Sequence, residues 1–511
     1  MIRPGTLAWF AQHEARLAWR DWTWLLSGGR RARGFAVVLG MAVFVLLMHA
    51  LAYVTLPHTR DLLATRPDAR MLVVIGGTLA LYGSLMLSQA LEAVTRAFYA
   101  RGDVDLLLSS PSAAQRLFAV RIVAMALSIA AMSLLLAAPA IDVLALLGGA
   151  HWFAAYGVMA ALAMVAVAVS AVTTILLFAA IGPKRTRLVA QIVAAIVGAS
   201  FVIGVQFLAI LSMGTISRIE FLQSDAVVSH APASGSLIWL PARAAAGNWL
   251  DLAIVMAIAV GLLAGAIRFC APRFGTLALA TAAISEGPAR SSRRRRPGIR
   301  ATSPAQALRS KEWALLRRDP WLISQSLMQL LYLLPPFYML WQSFYGDVSR
   351  VKLLVPVLIM AAGQLAGGLA WLAVSGEDAP DLIASAPITL TRVWRAKAEA
   401  VAGAMAMVFG PAIAVLALVD PIPALVAFLG IATAAASASL IQFWFRAQVK
   451  RSLFRRRHIS SRIATFAEAF SSITWSGAGA IALVNPWLAI IPGGAALAVL
   501  AGAWSIRPQR G

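Results

Sequence analysis

The sequence predicts an all-α, polytopic integral membrane protein of about twelve transmembrane helices, built as two parallel six-helix repeats with both termini cytoplasmic. Three observations carry that reading. The 511 residues are 60% hydrophobic and only 13% charged, whereas soluble chains run to about 45–50% apolar and roughly 25% charged. Apolar runs of the roughly 20 residues needed to cross a bilayer recur along the whole chain. The formal net charge of +23 falls almost wholly on alternate loops. A chain so poor in total charge is no soluble nucleic-acid binder, despite its basic balance. Its apolar content excludes intrinsic disorder, and a lone cysteine, Cys270, excludes a disulfide scaffold.

Taken in order, residues 1–34 form an N-terminal interfacial segment ahead of the first apolar run, 35–56. That run contains Val43-Phe44-Val45-Leu46-Leu47 and is too long for a signal peptide. Further spans are expected at 71–91, 117–138, 152–181, 188–213 and 251–270, completing a first half over 35–270. The 152–181 run is long enough to be tilted or kinked. Residues 271–321 read as a basic cytoplasmic linker and a second interfacial segment; Ser291-Ser292-Arg293-Arg294-Arg295-Arg296-Pro297 is polar and broken by proline. Such a cluster tethers, marks topology and attracts anionic headgroups, at about 1 kcal/mol per basic residue.

The second half, 322–511, holds expected spans at 322–341, 352–374, 399–419, 423–445, 463–484 and 487–505. The 463–484 run is the weakest because Glu468 interrupts it. An ionisable residue within a span is costly and marks a functional polar site; Glu468 is either that or a residue near the interface beside Arg462. Glu92 and Glu399 stand at span edges. Gly261-x-x-x-Gly265 and Gly363-x-x-x-Gly367 permit close helix contact. The six histidines have no paired spacing for a metal, and His49, inside the first span, reads as a packed polar residue.

Placing the N-terminus inside puts 37 of the 44 Lys and Arg residues on the cytoplasmic side and seven outside. A Lys/Arg bias of this size fixes orientation. The location that follows is a plasma or inner membrane, multi-pass.

The two halves also echo each other. Asp105-Leu106-Leu107-Leu108-Ser109-Ser110-Pro111, then Arg116 and Arg121, follows the second span. Asp381-Leu382-Ile383-Ala384-Ser385-Ala386-Pro387, then Arg392 and Lys397, follows the eighth. Asp, Pro and both basic positions match at one offset of 276 residues. Arg20-Asp21-Trp22 and Arg318-Asp319-Pro320-Trp321 precede the first and seventh spans, and Lys184-Arg185 and Lys450-Arg451 follow the fourth and tenth. An even number of spans per half makes the repeat parallel. In each loop the Asp caps a short apolar turn, Pro ends it, and the basic residues meet the headgroups. The product is a surface helix held between two spans, through which force moves both.

This order resembles the permease subunits of ATP-binding-cassette exporters of the second type. The resemblance implies that Asp105, Leu106, Pro111 and Arg116, with Asp381, Leu382, Pro387 and Arg392, belong to coupling segments that dock on separate partner ATPase subunits. It implies no cofactor on this chain, with ATP bound by the partner, and either one chain or a homodimer per permease. Leu26-Ser27-Gly28-Gly29-Arg30 looks like the signature peptide of transporter ATPases, yet the chain has no Gly-Lys dipeptide for a phosphate loop. A second reading is a twelve-span secondary transporter of the major facilitator kind. The scarcity of charge within spans and the long second-to-third loop count against it.

Overall fold

The computed structural model describes residues 68–99, 114–213, 221–286, 303–318, 351–375, 387–445 and 462–505, with the helical stretch 48–54 and a few single positions besides. Every helix or strand assigned among them is helical. The chain forms two compact units, Met1–Gly287 and Pro288–Gly511.

In the first unit, α1 (Ala69–Tyr99) begins where the Asp68 carboxylate accepts from the Met71 backbone N–H at 2.7 Å, satisfying one of the donors that a helix start leaves free. Next, α2 (Ala114–Gly148) stops at Gly149, whose φ of 112° ends the helix. After one 3₁₀ turn, α3 runs over Ala154–Met213 and is broken at Gly182 (φ 71°, ψ 167°), just before Pro183. Glycine takes that left-handed angle without steric cost, and proline has no N–H to continue the helix. The second limb turns back, so that Ala190 and Ala194 pack with Leu177 of the first limb and Leu91 of α1. Two short helices, α4 (Asp225–Val228) and α5 (Leu240–Ala245), lead into α6 (Trp249–Glu286). Arg243 ties this connection together, donating to Asp251 at 2.7 Å and to the Ser234 and Ser236 carbonyls at 2.9 Å each. The core is α3, with α1, α2 and α6 packed on it.

In the second unit, the amphipathic α7 (Pro304–Arg318) precedes α8 (Val351–Ser375) and α9 (Leu390–Val419). The Asp420 side chain accepts from the Ile422 N–H to start α10 (Pro421–Trp444), with Pro421 preset for the first turn. Then come α11 (Arg462–Ala482) and α12 (Ile490–Ser505). α8 packs against α9, α10 and α11, and α12 against α11.

Eight helical segments among the described residues are long and apolar enough to cross a membrane: 69–98, 115–148, 150–183, 185–209, 249–277, 354–374, 390–419 and 421–444. They answer eight of the twelve expected spans. The expected spans 35–56 and 322–341 lie largely outside the described residues. The remaining two differ from expectation. Residues 462–482 are helical, but Glu468, Ser471, Ser472, Thr474 and Ser476 leave them less apolar than the other eight. The last helix is 16 residues long, about 24 Å at the usual rise, short of the roughly 30 Å hydrocarbon core.

Candidate functional site

Of the expected coupling segments, Asp105, Leu106, Pro111, Asp381 and Leu382 lie outside the described residues, as does the basic run 291–297. Arg116 is exposed on the first turn of α2, and Pro387 and Arg392 are exposed at the start of α9. What the structure shows in full is how the flanks of both segments are held.

In the first unit the segment between α1 and α2 springs from an aromatic box. Phe98, at the end of α1, has its ring centroid 5.1 Å from Phe178 of α3, 5.2 Å from Phe274 of α6 and 6.2 Å from Phe118 of α2. Phe118 and Phe274 are 5.0 Å apart. All four rings are tilted against one another and buried, the arrangement the aromatic quadrupole favours, with about 0.5–1.5 kcal/mol per pair beyond area burial. One turn earlier, the hydroxyls of Thr95 and Thr174 lie 3.3 Å apart in the same interior. Glu92, expected at a span edge, pairs with Arg96 one turn on.

In the second unit the flanks are held by charge. Lys397 of α9 donates to both Glu312 oxygens, at 3.0 and 3.1 Å, and to the Ala373 carbonyl in the last turn of α8. The ammonium thus bonds both oxygens of one carboxylate and a backbone carbonyl. The pair is almost wholly buried, at 5% and 2% side-chain exposure. Outside it, Glu399 accepts from Arg309 of α7 at 2.5 Å and from Arg395 at 3.0 Å. Trp313 of α7 lies where a side chain on Gly403 of α9 would meet it at 3.0 Å. Three helices, α7, α8 and α9, therefore converge on one buried ion pair beside the segment that joins α8 to α9.

The opposite face of α8 is fixed as well. Ser476 of α11 donates to the Pro356 carbonyl at 2.7 Å. Ser472 and Glu468 lie directly over Gly363 and Gly367, so this glycine pair does seat a neighbouring helix; Gly261 and Gly265 face nothing within 4 Å. Gln442 of α10 donates to the Glu468 carboxylate at 2.5 Å, and Trp475 donates to Ser437 at 2.9 Å. Glu468 is thereby a polar junction of α8, α10 and α11.

Sequence reasoning singled out Lys397, Glu399 and Glu468 by type, and set Arg462 rather than Gln442 beside Glu468. Glu312 was missed, although one signal pointed to it: the 298-residue offset relating Arg20-Asp21 to Arg318-Asp319 also sets Glu14 opposite Glu312. Gln442 carried no such signal. Among the described residues no group of three His, Cys, Asp or Glu side chains could hold a metal ion.

Eight apolar membrane-length helices with no strand among the described residues define a multi-pass, all-helical membrane protein. No protein-family model, curated protein or solved structure matches the chain.

Proposed function

We propose that the chain is the membrane-spanning permease component of an ABC-type exporter in an inner or plasma membrane. Substrate moves at the expense of ATP hydrolysed by separate ATPase subunits, and this chain carries no nucleotide site of its own. The partners dock on the cytoplasmic segments around Asp105–Pro111 and Asp381–Pro387, one in each of two parallel six-span halves. The observation that best supports this reading is the Glu312–Lys397–Ala373 junction. A docking segment transmits force only if its roots are rigid. Here the exit of α8, the entry of α9 and the surface helix α7 share one buried ion pair, so displacement of the segment moves three helices together. The Phe98 box gives the first segment an equally stiff base.

Purification in mild detergent tests the proposal: an ATPase subunit co-purifies, and substitutions at Asp105 or Asp381 loosen it. A chain that transports alone in vesicles, driven only by a proton gradient, overturns it in favour of a secondary transporter.

A further inference from the structure

A second polar cluster lies in the first unit, outside the coupling flanks. His49 directs Nδ1 at the Val45 carbonyl, 2.8 Å away, and Nε2 at Asp142 Oδ2, 3.2 Å away. The other carboxylate oxygen of Asp142 accepts from the Tyr156 hydroxyl at 2.7 Å. Asp142 belongs to α2 and Tyr156 to α3, so three helical segments meet at one carboxylate. We propose that His49, Asp142 and Tyr156 form a proton-binding site that, when occupied, fastens the segment 48–54 to α2 and α3.

A backbone carbonyl and a carboxylate only accept, and a neutral imidazole carries a single N–H. Both contacts of His49 are hydrogen bonds when the ring bears two N–H groups, or when Asp142 itself holds the proton and donates it to Nε2. In either case the closed arrangement contains one proton that a neutral histidine beside a carboxylate lacks; it belongs to the pair. Once it leaves, either the Nε2 lone pair faces Asp142 Oδ2 or the Val45 bond is given up. In the first case the link between segment 48–54 and α2 is lost; in the second an uncharged Nε2–H alone keeps it, weaker than the charge-assisted bond; Tyr156 remains on Asp142 in both.

The ionisable groups bonded to the site among the described residues are these three alone. From the 3₁₀ turn before α3, the Phe153 ring stacks on Tyr156. The side chains of His49 and Asp142 are 32% and 40% exposed, so neither is sealed inside the helix core. Asp142 lies 24 residues along α2 from Phe118, about 36 Å at the helical rise. The proton site thus stands at the opposite end of the bundle from the aromatic box. It does not depend on the permease reading.

The test uses the full chain in nanodiscs of neutral lipid, with thermal midpoints from about pH 5 to about pH 9, spanning the ordinary histidine range. Wild type, His49→Gln, Asp142→Asn and the double variant are compared. The two substitutions are expected to be more strongly coupled at low pH than at high pH, and His49→Gln is expected to lose part of the wild-type fall in midpoint as pH rises. Identical pH profiles for wild type and His49→Gln overturn the proposal. Should a variant not fold, hydrogen exchange of the wild type serves instead, corrected for intrinsic rates. The peptide covering 48–54 then opens several-fold more at high pH, relative to peptides around Phe118; equal opening at both pH values refutes the site.

Discussion

The sharpest prediction concerns the Glu312–Lys397 pair. Glu312→Gln keeps the shape but removes the carboxylate charge that Lys397, only 5% exposed, meets at 3.0 and 3.1 Å. Removing one partner of a buried pair costs about 3–5 kcal/mol, whereas replacing both by apolar groups of similar volume is near neutral. A unit of this size loses roughly 2–4 °C of midpoint per kcal/mol. Glu312→Gln should therefore lower the melting temperature of the second unit by roughly 6–20 °C, and Lys397→Met by less, because Glu312 keeps Lys311 at 3.4 Å. The double variant Glu312→Leu with Lys397→Met should return to within a few degrees of wild type. Thermal unfolding of the four proteins in micelles, read as a double-mutant cycle, gives the coupling energy directly. Singles within about 1 kcal/mol of wild type, or a double variant as damaged as the sum of the singles, refute the clamp. On the permease reading the double variant separates strength from transmission: it is stable, yet ATPase stimulation by substrate is lost because α7 no longer follows α9.

Gly367→Ala puts a methyl onto the Glu468 carboxyl group and should destabilise by about 1–3 kcal/mol. Gly261→Ala meets nothing within 4 Å and should gain about 0.5–1 kcal/mol of helix propensity; melting temperatures of the pair distinguish a seated glycine from a free one. Phe274→Ala empties the centre of the aromatic box and should cost about 3–5 kcal/mol, with faster hydrogen exchange at the end of α1 and the start of α2. Arg243→Ala removes three hydrogen bonds and leaves Asp251 unpaired, a loss of about 3 kcal/mol; limited proteolysis should then cut between residues 229 and 239.

The spans were legible because an apolar run of membrane length is a one-dimensional signal. Their ends were not, because a helix continues past the point where its apolar surface is needed. α2 was expected to stop at 138 and runs to Gly148, which carries Asp142 onto it and into reach of His49. α9 was expected from 399 and begins at Leu390, so Arg395 and Lys397 lie on the same helix as Glu399 rather than in the loop before it. Glu468 was conspicuous as a charge among apolar residues. Its partner Gln442 lies 26 residues away and Glu312 lies 85 from Lys397; such pairings are created by packing and leave no local pattern.

The break at Gly182 bears on how the protein reaches the membrane. Two membrane-length segments, 150–183 and 185–209, follow each other with a single residue between them, and Arg185, exposed, and Arg187 sit at the bend. No tether is long enough for one limb to enter the bilayer and wait for the other. The hairpin must be delivered as one piece, its basic tip left at the surface from which it entered. A reporter fused between the limbs would report a topology that the intact chain never visits. Fusions for mapping orientation belong instead before α1 or in the connection after α3.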